Sequence, residues 1–126
     1  MKSLETSPYK GKTGLRRLFN AFGYSMAGFK AAFEHEDAFR QLTLLALVLV
    51  PTACLLDVTT VEQVLLIAAT LATLVIELFN SAIEAAVDHT SLERHPLAKR
   101  AKDMGSAAQF LGLCNLAVVW GLILLA

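Results

Sequence analysis

From Leu15 to Phe33, large apolar side chains recur in steps of three and four, at Leu15, Leu18, Phe19, Phe22, Met26, Phe29 and Phe33. That is the spacing of a single stripe along a helix. Arg16, Arg17, Asn20 and Lys30 fall away from the stripe. Residues 14–35 are therefore expected to form an amphipathic helix in the membrane interface, basic groups toward anionic headgroups. Beyond it, long apolar runs take over, roughly Phe39 to Leu56, Val61 to Ile76 and Ala107 to Ala126. Each is at or near the length that crosses a hydrocarbon core of ~30 Å at ~1.5 Å per residue. Membrane helices are expected over 38–56, 61–88 and 103–126, and residues 1–13 are expected to be disordered.

Composition excludes a soluble bundle of three buried helices. With 56% of 126 residues hydrophobic and 17% charged, too little polar sequence remains to coat such helices. The expected fold is a single all-α membrane domain spanning 1–126, with three transmembrane helices and one interfacial helix. Formal net charge is zero, yet the basic residues are lopsided. Lys2, Lys10, Lys12, Arg16, Arg17, Lys30 and Arg40 precede the first span, and Arg94, Lys99, Arg100 and Lys102 separate the second from the third. The connection Asp57 to Thr60 and the C-terminus carry none. By the positive-inside rule, the N-terminus and the second connection are expected in the cytoplasm, with the first loop and the C-terminus outside. No short apolar run with a cleavage site opens the chain, so a cleaved signal peptide is not expected. Cys54 and Cys114 both fall inside spans, as small apolar residues do, and suggest neither a disulfide framework nor a metal site.

Candidate chemistry sits at the end of the second span. Glu77, Asn80, Glu84 and Asp88 share one face at 100° per residue. If the span enters near Val61, Glu77 lies about 24 Å along it, inside the core, and Glu84 about 35 Å, just past the edge. A carboxylate at the depth of Glu77 costs a few kcal/mol, so it pairs, faces a protein interior or serves a site. A polar packing seam would account for Glu77 alone; a graded row of acid, amide and acid favours a site. The row offers oxygen ligands suited to Mg²⁺ beside phosphate.

Phosphoryl transfer at this interface needs a cation to neutralise phosphate, a base for a lipid hydroxyl and basic groups for a nucleotide. Glu84 and Glu36 lie near the cytoplasmic boundary as metal ligands, Glu77 lies deeper as a general base, and Lys102 and Arg17 are phosphate binders. There is no Walker-type loop or protein-kinase catalytic loop, which excludes a soluble kinase fold. His35, His89 and His95 fall in connections as solvated side chains, and Gln109 and Asn115 are expected to form interhelical hydrogen bonds.

Several strings together resemble the bacterial integral-membrane diacylglycerol kinases. They are Gly23-Tyr24-Ser25 followed by Gly28, Ala38-Phe39-Arg40-Gln41 after Glu36, Glu77-Leu78-Phe79-Asn80-Ser81-Ala82-Ile83-Glu84, Val87-Asp88, and Arg100 to Ala108. The resemblance covers the chain from about Leu15 onward. It implies a homotrimer with active sites shared between subunits, MgATP as phosphate donor and diacylglycerol or a related lipid alcohol as acceptor. It implies the bacterial inner membrane as the location and no nucleic-acid partner. It also implies roles by position: Glu77 and Asn80 catalytic, Glu36 and Glu84 holding the metal, and Arg17, Ser25, Glu36, Glu84, Lys102 and Asp103 around the nucleotide. Arg17, Ala21, Glu77 and Asn80 would meet the lipid substrate. Pro51 departs from the family pattern in the first span, where a local bend is expected, as do Asn20 and Met26 in the surface helix.

Two alternatives accompany this reading. A branch of the same family phosphorylates undecaprenol, though the Asp103 to Ala108 string and the Glu36 to Gln41 pattern resemble the Gram-negative diacylglycerol kinases more closely. In the other, a non-enzymatic helical oligomer would use the acidic row to line a pore. A pore would want polar residues through the full depth, whereas the first half of the second span is apolar with scattered Thr beyond Glu62 and Gln63.

Overall fold

The computed structural model describes residues 13–90 and 95–126. Four helices follow in order: α1 Gly14–His35, α2 Asp37–Leu55, α3 Thr60–Thr90 and α4 Pro96–Leu125. The segment 1–12, with Lys2, Lys10 and Lys12, and also Arg94 lie outside the described residues. Helices α2, α3 and α4 are each long and apolar enough to cross a membrane.

Helix α1 carries its apolar stripe uncovered. Leu15, Leu18, Phe19, Phe22, Met26, Phe29 and Phe33 are all exposed in the single chain, and Ala32 is its one buried residue. A stripe of that size left bare is suited to lipid or another chain. Glu36 alone separates α1 from α2, with an extended backbone at φ −120° and ψ 108°. Arg40 fixes the turn. Its Nη1 donates to the carbonyls of Phe33 at 2.8 Å and Glu34 at 3.0 Å, and its Nη2 pairs with Asp37. Carbonyls left over at the end of α1 thereby gain a charged donor.

Helix α2 continues through Pro51 to Leu55, with the Thr52 hydroxyl donating to the Val48 carbonyl at 2.6 Å. The tight turn into α3 is a capping box. The Thr59 N–H donates to Glu62 Oε1 at 3.0 Å, and the Glu62 N–H donates to Thr59 Oγ1 at 3.1 Å. Gln63 then spans back to α2, its Nε2 donating to the carbonyls of Ala53 and Cys54 at 3.1 and 3.3 Å.

Helix α4 begins at Pro96, earlier than the expected 103, so Lys99 and Arg100 form its opening turns instead of a loop. The reason is local: His95 caps the helix, its Nδ1 accepting the Leu97 N–H at 3.1 Å, and Pro96 takes the first position, where no N–H is needed. The three long helices run antiparallel in sequence, α3 packing most extensively on α4 and next on α2. Their apolar core lies at the end holding the α2–α3 turn. Ala53, Leu66 and Trp120 are buried there, with Leu49, Leu56, Ile67, Leu116 and Val119 around them. That end is closed by packing, which leaves the opposite end of α3 and α4 for polar groups.

Candidate active site

Antiparallel pairing of α3 and α4 brings two sets of side chains face to face. On α3 the buried positions are Leu66, Ala69, Thr70, Thr73, Glu77 and Ser81; on α4 they are Gly105, Gln109, Gly112 and Trp120. Both sets follow the helical repeat of three and four, the α4 set with one longer gap from Gly112 to Trp120, as two helices in close contact require. Polar groups along this seam bond to one another. Trp120 Nε1 donates to Thr70 Oγ1 at 3.1 Å, while the hydroxyls of Thr70 and Thr73 donate to the carbonyls of Leu66 and Thr70, each at 2.7 Å.

Glu77 is 6% exposed and lies in the middle of the seam. Gln109 Nε2 donates to its Oε1 at 3.0 Å, and the Ser81 hydroxyl donates to its Oε2 at 3.4 Å. The same Gln109 nitrogen donates to the Thr73 carbonyl at 3.0 Å. No basic side chain contacts this carboxylate among the described residues. It is held by neutral donors in a setting of low dielectric, where such bonds are strong. One turn further, Asn80 meets Gly105. A Cβ at 105 would collide with Asn80 Oδ1 and lie 3.3 Å from its Cγ, so glycine is what leaves room for the Asn80 amide in this position. Asn80 Oδ1 is buried with no hydrogen-bond partner among the described residues.

Toward the α3 C-terminus the polar groups reach solvent. Glu84 is half-buried, with Glu36 and Glu77 its main like-charged neighbours, Lys102 an opposing cation and Asp88 a weaker like charge. Lys102 Nζ bridges to Asp88 Oδ1 at 2.6 Å. Among the described residues, neither Glu36 nor Glu84 is engaged in an ion pair. No group of three His, Cys, Asp or Glu side chains suited to a metal exists among the described residues. Two carboxylates that repel each other are nonetheless what a hard cation with phosphate oxygens and water in its remaining positions would use.

The fold thus brings together Glu36, Glu77, Asn80, Glu84 and Lys102. It does not bring Arg17, Ala21 or Ser25 to them. Those residues are exposed on α1, which packs appreciably only on α2, and the Ser25 hydroxyl donates to the Ala21 carbonyl at 3.0 Å. Asp103 turns to the outside of α4, where it pairs with Lys99 at 2.6 Å, both side chains exposed. Asn115 is exposed and makes no interhelical bond among the described residues, whereas Gln109 makes two. Thr70, Thr73 and Trp120 lie outside every motif of the sequence, and Ser81 lies inside one without a role assigned to it. The signal that marks Thr70 and Thr73 is the α3 period of three and four passing through Glu77, and Trp120 is found only through its bond to Thr70.

Comparison of the sequence with known proteins matches it to one family. The sequence model of prokaryotic diacylglycerol kinase matches residues 23–124. A diacylglycerol kinase of Pseudomonas aeruginosa is 62% identical over 122 residues, covering 97% of this chain and 99% of the relative. A diacylglycerol kinase of Haemophilus influenzae is 46% identical over 112 residues, 89% of this chain and 95% of the relative. One of Escherichia coli K12 is 44% identical over 112 residues, 89% of this chain and 92% of the relative.

Proposed function

The chain belongs to the prokaryotic diacylglycerol kinase family, and on that footing we propose that it transfers the γ-phosphate of ATP to the hydroxyl of diacylglycerol, giving phosphatidic acid at the cytoplasmic face of the bacterial inner membrane. The observation that carries the reading is the graded polar end of α3 and α4. A buried carboxylate, Glu77, stands one turn from the Asn80 amide oxygen, which has no partner among the described residues, and leads to the half-buried acids Glu84 and Glu36, with Lys102 beside Glu84. A lipid hydroxyl reaches such a site from the bilayer and a nucleotide from water.

Transfer is direct and in line. Glu77 takes the proton of the lipid hydroxyl, the freed oxygen bonds to the γ-phosphorus, and the bond from phosphorus to the ADP oxygen breaks. Lys102 offsets negative charge on the phosphates, and Asn80 orients the reacting groups. Glu36 and Glu84 would hold Mg²⁺, which when bound neutralises phosphate charge. Arg17, Ser25 and Asp103 are assigned to the nucleotide, and Arg17 and Ala21 to the lipid. Since α1 packs appreciably only on α2, its residues complete a site with the α3 and α4 of another subunit, and the working unit is a homotrimer with composite sites. The closed end of the bundle around Leu66 and Trp120 argues against a pore, because the polar row stops there.

The test is transfer of labelled γ-phosphate in mixed micelles offering diacylglycerol and undecaprenol separately, with wild type beside Glu77→Gln. Diacylglycerol is labelled preferentially and the variant is inactive while still assembled. Preferential labelling of undecaprenol would move the acceptor to that lipid, and no labelling of either by assembled wild type would sink the kinase reading.

A further inference from the structure

Glu77 is held from the neighbouring helix by a residue outside every string that carries the family resemblance. Gln109 spends its amide hydrogens on two α3 acceptors, the Glu77 Oε1 and the Thr73 carbonyl, each at 3.0 Å. Two acceptors on one side settle which way the amide points, since its oxygen would be repelled by both. The amide oxygen is left buried without a partner among the described residues. Space for this arrangement comes from Gly112. A Cβ there would lie 2.9 Å from Gln109 Oε1 and 2.7 Å from Ile76 Cδ1. The two oxygens of Glu77 therefore differ. Oε1 is tied to α4, while among the described residues Oε2 has only the long 3.4 Å contact from Ser81.

We propose that Gln109 is a positioning residue that anchors Oε1 of Glu77, so that Oε2 is presented to the lipid hydroxyl as the proton-accepting oxygen. The inference rests on the assignment of Glu77 as base. It differs from simple helix packing, because the same seam contains a second interhelical bond, Trp120 to Thr70, that involves no carboxylate. That bond supplies an internal control for the integrity of the α3–α4 contact.

The experiment measures kcat and the KM values for ATP and diacylglycerol in mixed micelles, on the full-length assembled protein, for Gln109→Leu, Thr70→Val and Glu77→Gln. Loss of a hydrogen bond to a charged group from a site that must hold its geometry predicts a kcat for Gln109→Leu lowered roughly 10–100-fold. Both KM values stay unchanged, and Thr70→Val keeps kcat within about twofold of wild type. Gln109→Met, which also lacks the donor, takes the place of the Leu variant if that one does not assemble. A wild-type kcat in Gln109→Leu alongside an inactive Glu77→Gln overturns the positioning role alone. An equal loss in Thr70→Val overturns it in favour of general packing, and an active Glu77→Gln overturns the base assignment together with it.

Discussion

Gly105 shows how closely α3 and α4 approach at Asn80. Any Cβ there meets the Asn80 amide oxygen, which is the tip of a side chain, so the cheaper response is for that tip to swing away and for the helices to stay together. Gly105→Ala is expected to lower stability by about 1–3 kcal/mol, the usual cost of overpacking. Displacing a group that orients reacting atoms also lowers the rate, roughly 10–100-fold. Thermal unfolding in detergent and phosphoryl transfer on the same preparation separate the two effects. A variant losing both in proportion would show that Asn80 acts only in packing. None of this clash is legible in the string Asp103 to Ala108, which shows a glycine near the start of a span and not what it touches.

The sharp α1–α2 turn depends on one side chain. Arg40 holds the carbonyls of Phe33 and Glu34 together with the Asp37 carboxylate, and Glu36 sits within that clasp. Arg40→Ala leaves two carbonyls at the end of α1 without their charged donor, a loss of about 1–3 kcal/mol. The freed turn should also place Glu36 less well, so the Mg²⁺ concentration giving half-maximal transfer is expected to rise about three- to tenfold, the equivalent of about 1 kcal/mol in binding. A metal titration of activity checks this, and an unchanged titration would remove Glu36 from the metal site. In sequence, Arg40 is one more basic residue before the first span; only the turn shows that it binds α1. Likewise, the opening turns of α4 look like a basic loop in sequence because Lys99 and Arg100 dominate them. The His95 cap and Pro96 make them helical.

The arrangement of helices assigns the two ends of the bundle to different environments. Apolar packing closes the end at the α2–α3 turn, and charged groups collect at the other. By the positive-inside rule, the lopsided Lys and Arg are expected to put that charged end in the cytoplasm. In a cysteine-free background, Asp57→Cys should react with an impermeant maleimide in cells with a permeabilised outer membrane. Lys99→Cys should react only once the inner membrane is opened. The opposite pattern would invert the protein and place the nucleotide site away from ATP. The bare stripe of α1 fits the proposed composite site, in which a second copy would supply the α3 and α4 that Arg17 and Ser25 serve.

The amino-acid sequence alone suffices for the helical membrane class, the number of spans and the face shared by Glu77, Asn80 and Glu84. Those properties follow from run length, a period of 3.6 and the cost of burying charge, which each segment carries locally. Tertiary structure decides which partners the row meets. Gln109 reaches Glu77 across 32 positions, Trp120 reaches Thr70 across 50, and Lys102 finds Asp88, because the register of α4 on α3 is set by the packing of many side chains at once. No single segment contains that register, and so the neutral hold on Glu77 appears only when the two helices are together.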